Sequence, residues 1–343
     1  MAYHIEDCTG EAAEMKEIAG FLARFVAGGE GASGDIEGRN PTTWESRLGW
    51  WWKSNPYCRP DSPRGLMLRS ENGNMAGFFG FIPHDYVRDG KVVPSLISTT
   101  TFVGRDSRDA ALGLFLRAHR LKEEYQLVDG GPNEEMQALL KRCGYRHVEK
   151  AKLFLYPVSR RPRRVASVLM QGLRMGAPCP NGRLRSGKVI TRLEDAETVP
   201  PIRDSRLRKH VDRESLEWYL DSGSQRKVFA GWCDEAGVLK CYVMGIPRRC
   251  FGVTGLVVFE AVSFDRADEG LIGELVAHMA KFPREAGLPE EIDLVAWPAQ
   301  DGIRKRRSPF SMPYDPFLFY RLPTRWEDGE RLCFPFEGDK ALL

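Results

Sequence analysis

The sequence lacks several features that would assign it to a specialised class of protein. It has eight cysteines but no Cys-x-x-Cys pair, and several cysteines stand in apolar runs. A disulfide framework and a zinc site are therefore not predicted, and reduced, buried thiols are expected instead. The N-terminus has neither a basic start nor an apolar core, and no apolar run approaches the roughly 20 residues that cross a bilayer. These absences favour a cytoplasmic protein with no metal and no membrane span.

A strong excess of one charge is also missing. The formal net charge is +3, and the sequence is 42% hydrophobic and 28% charged. This balance is typical of a globular chain and gives no support to nucleic acid as a partner. The length of 343 residues is more than one core usually needs, and it fits two domains of moderate size.

Two segments of the first half have counterparts in the second half. Residues 48–54 are echoed by 216–222, and residues 75–83 by 239–247. Both echoes run through a helix that ends in aromatic residues and then a hairpin strand that ends in Ile-Pro. The repeat predicts an N-terminal domain at 1–158, a basic linker with a short helix at 159–188, and a C-terminal domain at 189–343.

A β-branched stretch that runs directly into a loop of small residues is the strongest local motif. Residues 96–103 predict a strand, residues 105–113 follow as the loop, and apolar residues then recur at the spacing of an amphipathic helix. Asp106 or Ser107 is expected to cap this helix. A helix N-terminus attracts anions, and small side chains let a diphosphate approach the backbone. The small side chains in question are those of Ala110, Ala111 and Gly113.

A second strand and helix follow this motif. Residues 125–128 predict a short apolar strand, and Asn133 is placed to cap the next helix. That helix is expected to stop at Gly144, and residues 151–156 predict a final strand of the first domain.

Together these segments resemble the GNAT N-acyltransferase superfamily. The acyl-CoA pyrophosphate loop of that family reads Gln/Arg-x-x-Gly-x-Gly/Ala, and this sequence has Arg108-x-x-Ala111-x-Gly113, with one glycine replaced by alanine. The resemblance implies an α+β fold of two GNAT-like domains, each a mixed, mainly antiparallel central sheet flanked by helices. An ordinary βαβ unit with a tight turn, or a duplicated α+β fold of another family, is the alternative.

The resemblance also implies acetyl-CoA or another acyl-CoA as co-substrate. The residues expected to bind it are Thr101, Phe102, Val103, Arg105, Arg108, Asp109, Ala110, Ala111, Leu112, Gly113 and Asn133. The corresponding loop of the second domain carries Asp265, Asp268 and Glu269, whose charges would repel a diphosphate. The first domain is therefore expected to bind the acyl-CoA, although two aspartates of its own loop, Asp106 and Asp109, would also repel the diphosphate.

Catalysis in this family, as the resemblance implies, is direct attack of an amine on the thioester, assisted by a general base. The carboxylate that is usual on the fourth strand is missing, because the hydroxyl residues 98–101 occupy that stretch. Leu140 stands where the family commonly has a tyrosine acid. The candidates for catalysis are therefore His84, Glu260 and Asp129.

Each candidate has a second interpretation. His84, at the expected end of a strand, is either a base that titrates near neutral pH or a turn histidine on a surface loop. Glu260 stands in an apolar strand, where a carboxylate is costly unless it is partnered or functional, or else it faces water. Asp129 either orients the acceptor or forms a turn with the two glycines that follow it.

The acceptor is expected to be a primary amine of a small molecule, such as an amino sugar on a nucleotide carrier. Basic segments at 160–164 and 304–307 suit a diphosphate or are solvated surface, and a group of tryptophans suits a sugar face or packs in the core. Two other classes stay open: a Fem-type transferase that uses aminoacyl-tRNA, and a non-catalytic binding module. The CoA-like loop argues against a tRNA partner.

Overall fold

Two long β-hairpins, one in each half of the chain, form the centres of two sheets. In the computed structural model, β3 (Met75–Arg88) pairs with β4 (Lys91–Val103), and β12 (Leu239–Cys250) pairs with β13 (Val253–Ser263). Asp89 and its neighbouring glycine both have positive φ, as a two-residue hairpin turn of the favoured hand requires. The structure describes residues 2–28, 37–147, 151–160, 174–175, 187–203, 205–221, 226–250, 252–300, 310–314 and 318–323.

The first sheet has eight strands within the described residues. Across the sheet the order is β1 (Tyr3–Asp7), β2 (Gly65–Ser70), β3, β4, β5 (Gln126–Gly130), β16 (Leu318–Arg321) and β6 (Arg146–His147), and β10 (Arg208–Lys209) pairs with β3. The pairing of β4 with β5 is parallel, and the others are antiparallel.

The second sheet also has eight strands in the described part of the chain. Its order is β8 (Arg174–Met175), β15 (Phe310–Tyr314), β7 (Ala151–Pro157), β14 (Leu294–Gln300), β13, β12, β11 (Val228–Cys233) and β9 (Lys188–Ile190). Here the parallel pair is β13 with β14. The expected α+β class, with two mixed, mainly antiparallel sheets, is confirmed.

Helices cover both faces of the first sheet. α1 (Ala12–Ala27) and α2 (Pro41–Trp52) pack on one face, and α3 (Ala111–His119) and α4 (Glu134–Arg142) on the other. α5 (Arg213–Leu220) joins the core of α1 and α2, and α6 (Glu269–Lys281) covers the second sheet. No helix in the described ranges combines the length and apolar character needed to cross a membrane.

The last strand of each half lies in the sheet of the other half. Residues 151–156 were expected to complete the first sheet, and this is corrected: β7 pairs with β14 and β15 of the second sheet. β16, from the end of the chain, takes the place between β5 and β6. The alternation of side chains is the same in either sheet, so the sequence could not distinguish the two placements. The sheets therefore do not follow the predicted boundary at residue 158.

The echoed segments meet at the junction of the two halves. Trp50 of α2 stacks on Trp218 of α5 with ring centroids 4.7 Å apart. Each indole N–H donates to the backbone carbonyl of the other tryptophan at 3.0 Å. Trp218 is nearly fully buried, as are the other tryptophans of the group, which are Trp44, Trp51, Trp52 and Trp232. The tryptophans thus pack in the core, and the interpretation of the group as a sugar-binding wall is wrong for these buried members.

Replacing Phe319 tests the exchange of strands. Phe319 on β16 is fully buried and packs in the cluster that holds Leu114, Phe115 and Leu140 of the first half. Phe319→Ala is expected to lower the free energy of unfolding by about 3–5 kcal/mol, because a large cavity is left beside α3 and α4. Denaturant unfolding measures this loss. Val92→Ala, at a side chain that is 48% exposed, is the control and should change stability by less than about 0.5 kcal/mol. Equal effects of the two variants would contradict the placement of β16.

Candidate functional site

The parallel strands β4 and β5 form a fork. Their paired residues run from Ser95 opposite Gln126 to Ser98 opposite Asp129, while β4 continues to Val103. At the base of the fork the Ser98 hydroxyl donates to Asp129 Oδ2 at 2.7 Å. The two strands separate beyond this point, and the fork opens towards the loop that follows β4.

A β-bulge lies in β4 just past the base of the fork. Gly80 is opposite Thr99 and Phe78 is opposite Phe102, so β4 has one residue more than β3 in this interval. Thr100 within the bulge has a φ of 44°, which is strained for a β-branched residue. Its buried hydroxyl has no hydrogen-bond partner among the described residues. Strain and an unsatisfied buried group together are typical of a position that serves a ligand.

The predicted phosphate loop is a short 3-10 helix that leads into α3. It spans Arg105–Ala110, and α3 begins at Ala111. The expected cap at Asp106 or Ser107 is wrong, because Gly104 precedes the 3-10 helix and Ala110 precedes α3, neither with a side-chain cap. The helical backbone begins with the 3-10 helix at Arg105, so Asp106 and Ser107 lie inside that tighter helix and not at the cap position of α3.

The start of α3 is open to solvent. A Cβ built on Gly113 would meet only Ile5 Cδ1, 4.0 Å away. The other exposed residues of this segment are Thr101, Arg105, Asp106, Arg108, Asp109 and Leu112. Ala110, Ala111, Phe102 and Val103 are half-buried. Thr100 in the bulge and Ser107 in the loop are buried, and most of the residues between the bulge and the first turn of α3 are at least partly accessible to a ligand.

Asn133 caps α4 as expected from the sequence. Its side-chain oxygen accepts from the Met136 backbone N–H at 2.8 Å. Asn133 follows β5, so it lies on the β5 side of the fork, whereas Thr101 lies on the β4 side. Because Oδ1 accepts from the helix N-terminus, the side-chain NH₂ group is the part of Asn133 that could contact an acyl donor.

His84 lies inside β3 and is buried. The predicted position at a strand end and the alternative on a surface loop are both wrong, since β3 continues to Arg88. Nδ1 lies 2.7 Å from the Asp85 carbonyl oxygen, which can only accept, so Nδ1 carries the proton. Nε2 accepts from the Tyr219 hydroxyl at 2.8 Å. Burial and the charge of Lys209 hold the pKa of His84 well below its usual value, so the imidazole is neutral.

Glu260 is also buried, and the interpretation that it faces water is wrong. Met244 is opposite Glu260 and Gly245 is opposite Val258, so β13 has a bulge at this point. Phe259, beside Glu260, packs into the core that both halves share. Glu260 Oε2 lies 3.0 Å from the ammonium group of Lys209, and the Tyr242 hydroxyl donates to Oε1 at 3.4 Å.

A chain of hydrogen bonds connects these two predicted residues across the junction. The Lys209 ammonium donates both to Glu260 and to the Tyr219 hydroxyl, the latter at 3.0 Å, and Tyr219 donates to His84. Sequence reasoning identified the two ends of the chain but missed Lys209 and Tyr219. Tyr219 stands in the apolar stripe of α5 and reads as core, while Lys209 reads as part of a polar segment, so no sequence signal set either apart.

The fork of the second sheet is filled. β13 and β14 pair from Gly255–Leu294 to Val257–Ala296, and Trp297 follows the last pair. Trp297 is buried, and a Cβ built on Gly273 of α6 would lie 3.7 Å from its ring. The space that is open beside Gly113 in the first half thus holds an indole in the second.

The acidic residues of the second loop are engaged within the fold. Asp265 accepts from the Ala267 backbone N–H at 2.8 Å, and Glu269 forms an ion pair with the buried Arg206. Burial raises the pKa of Asp268. Besides the charge repulsion expected from the sequence, the ring of Trp297 would oppose an acyl-CoA here on steric grounds.

Two basic segments singled out in the sequence lie outside the described residues. These are 161–164 of the linker and 304–307. In the part of the chain that the structure describes, no group of three or more His, Cys, Asp or Glu side chains is arranged to hold a metal ion. The described cysteines are free thiols.

Solved structures with a similar fold include a GCN5-related N-acetyltransferase and a probable N-acyltransferase. The chain aligns with a conserved protein of unknown function from Enterococcus faecalis V583, described as a probable N-acyltransferase, with a TM-score of 0.55 and 11% identity. It aligns with a GCN5-related N-acetyltransferase from Anabaena variabilis ATCC 29413 with a TM-score of 0.52 and 12% identity. Each alignment covers 94% of this chain and 73% of the other. No family model matches the sequence, and no curated protein matches it either. The likeness shows that the chain has a GNAT-like fold with two sheets.

Breaking the buried ion pair tests the chain of hydrogen bonds. Lys209→Met is expected to lower the free energy of unfolding by about 3–5 kcal/mol, because it leaves the Glu260 carboxylate buried without its cation. Lys209→Met combined with Glu260→Gln should lose less than the sum of the single changes in a double-mutant cycle. Arg192→Met is the control, since its pair with Glu194 is exposed (71% and 73%) and its loss should leave the stability nearly unchanged. Additive single changes would contradict the direct contact.

Proposed function

We propose that this protein is an N-acyltransferase that moves an acyl group from acyl-CoA to a primary amine. The observation that carries the proposal is the fork between β4 and β5, which opens from the Ser98–Asp129 contact towards an accessible helix start at Gly113. A slot bounded by backbone and ending at a helix N-terminus suits a thioester on a flexible arm with a diphosphate at its far end. The fold shared with annotated N-acyltransferases supports the same reading.

The donor is proposed to lie along β4. Thr101, Phe102 and Val103 offer backbone groups to the pantetheine arm, and the diphosphate sits at the segment from Arg105 to Gly113. Arg105 and Arg108 are exposed there and supply positive charge. Thr100, with its strained backbone and unpartnered hydroxyl, lies where the thioester would meet the bulge. The indole of Trp297 supports the proposal that the second half binds no acyl-CoA.

The reaction needs a group that removes a proton from the acceptor ammonium. In the proposed reaction Glu260 receives this proton, directly or through a water molecule. The amine nitrogen then attacks the thioester carbonyl carbon, the C–S bond breaks, and CoA leaves as the thiol with a second proton from the nitrogen. Lys209 donates a hydrogen bond to Glu260, whereas both ring nitrogens of His84 are engaged and the ring stays neutral. Asp129 is proposed to position groups at the base of the fork.

The acceptor is proposed to be a small molecule, with an amino sugar on a nucleotide carrier as the specific candidate. The basic segments at 160–164 and 304–307 support this choice through the diphosphate of such a carrier. Because these tryptophans are buried in the core, they do not support the choice of a sugar as the acceptor. A non-catalytic binding module is the second candidate, favoured by the burial and full pairing of His84 and Glu260.

Binding of CoA is the first measurement, by isothermal calorimetry. Gly113→Asp should abolish binding, because it adds a negative charge where the diphosphate lies while the site has room for the side chain. Gly270→Asp is the matched control, since Gly270 is on the first turn of α6 in the second half and has nothing within 4 Å of a built Cβ. The control should bind CoA like the wild type. Loss of binding in Gly270→Asp alone would place the donor in the second half.

Turnover of the thioester separates an enzyme from a binding module. Acetyl-CoA should release free CoA thiol when a nucleotide-linked amino sugar is present, and Glu260→Gln should lower kcat/KM by about 10²–10⁴-fold. Neutralising residues 304–307 should raise KM for the nucleotide-linked acceptor and not for the free amino sugar. Turnover only with protein lysines would overturn the choice of acceptor. Salt-dependent transfer from aminoacyl-tRNA would favour the Fem-type alternative.

A further inference from the structure

Ser98 and Asp129 are the last residue pair before β4 and β5 separate. The Ser98 hydroxyl lies 2.7 Å from Asp129 Oδ2, which is the short distance typical of a hydrogen bond to a carboxylate. Its Oγ also lies 3.1 Å from the Val128 carbonyl oxygen. Both of these partners are acceptors, so neither contact uses the lone pairs of the Ser98 oxygen.

This pair lies on the face of the sheet that α3 covers. Because side chains alternate along a strand, Ser98 shares a face with Leu96, two residues earlier on β4. Asp129 shares the same face with Leu127 of β5. Both leucines pack in the cluster that contains Leu114 of α3. An acyl-CoA with its diphosphate at the start of α3 would therefore approach the pair from its own side of the sheet.

Both side chains of the pair are partly accessible to a ligand. Ser98 and Asp129 are half-buried, whereas their neighbours Ile97 and Val128 are fully buried. The bulge that follows in β4 interrupts the pairing with β3 and holds the Thr100 hydroxyl, which has no partner among the described residues. The base of the fork therefore combines a hydroxyl oxygen that can attack, a carboxylate beside it and, two residues further on, an unpartnered hydroxyl.

We propose that Ser98 is a nucleophile that takes the acyl group from acyl-CoA, with Asp129 as its base, and that the protein thereby hydrolyses the thioester when no amine is bound. This inference rests on the proposed acyl-CoA site but concerns a separate reaction. Ser98 Oγ attacks the thioester carbonyl carbon while its proton passes to Asp129 Oδ2. The C–S bond breaks, and the CoA thiolate takes up this proton and leaves as the thiol.

A water molecule completes the hydrolysis. It gives a proton to Asp129, and its oxygen attacks the carbonyl carbon of the ester on Ser98. The C–Oγ bond breaks, Ser98 Oγ takes the proton from Asp129, and a carboxylic acid leaves. Because a carboxylate is a weaker base than an imidazole, turnover is expected to be slow and the ester to be detectable in protein quenched with acid.

The test incubates the protein with saturating acetyl-CoA in a buffer without amines and separates CoA from acetyl-CoA by liquid chromatography. This readout avoids thiol reagents, which would also react with the free cysteines of the protein. The wild type should release CoA, and after an acid quench the peptide that contains Ser98 should carry one acetyl group by mass spectrometry. Ser98→Ala and Asp129→Asn should lower the release of CoA by at least about 10²-fold.

Ser95→Ala is the matched control. Ser95 stands on the same strand but is buried on the opposite face with Ile97, and its hydroxyl donates to the Val93 carbonyl at 3.0 Å. This variant should form the ester and release CoA at the wild-type rate. If the wild type binds CoA but releases none from acetyl-CoA, carries the acetyl group elsewhere than on Ser98, or releases CoA no faster than Ser98→Ala, the inference is overturned and the donor site stands. Failure of the wild type to bind CoA itself would overturn both.

Discussion

A carboxylate and an ammonium group that lie 3.0 Å apart in the interior impose the main constraint at the junction of the two halves. Glu260 belongs to the second sheet, and Lys209 lies on the short strand that pairs with β3 of the first. Neither charge can stay buried without the other, because an isolated ion in the interior loses its hydration without compensation. Tyr219 and His84 extend the pair into a chain of hydrogen bonds. The halves must therefore close in one relative position, and the reciprocal contacts of Trp50 and Trp218 are compatible with that position.

The two halves share an architecture and differ at the positions where chemistry would occur. Both central strands carry a bulge, which holds Thr100 in the first sheet and borders Glu260 in the second. At the base of the fork the first half has Asp129, held by Ser98, while the second has Trp297 against its helix. The two forks therefore differ in that a buried indole follows the last strand pair of the second. A carboxylate of this second half, Glu260, lies at the junction beside Lys209.

Much of the fold could be predicted from the sequence because the signals were local. Asn133 at a helix start and the strand at residues 96–103 depend only on short-range preferences, and both lie where expected, whereas β3 extends beyond the predicted end at residue 83 to Arg88. The exchange of β7 and β16 could not be predicted, because an apolar strand has the same alternation in either sheet. The site shows the same division. Glu260 was recognisable as a carboxylate in an apolar strand and His84 as a histidine at the expected end of a strand, but their partners depend on tertiary contacts between residues up to 135 positions apart.

The buried chain also bears on how a proton would move at the junction. His84 is fixed as a neutral ring by the Asp85 carbonyl on one nitrogen and by Tyr219 on the other. Tyr219 has its single proton committed to His84, so its oxygen is an acceptor towards Lys209. The ammonium group of Lys209 therefore donates to two oxygens that act only as acceptors towards it, the Tyr219 hydroxyl oxygen and Glu260 Oε2. Of the two Glu260 oxygens, Oε1 has the longer contact, 3.4 Å to Tyr242, and so retains the lone pair that is most easily offered to a new donor. The geometry thereby distinguishes residues that the sequence could only group together: His84 is the neutral end of the chain, Lys209 pairs with the carboxylate, and Glu260 is the proposed base.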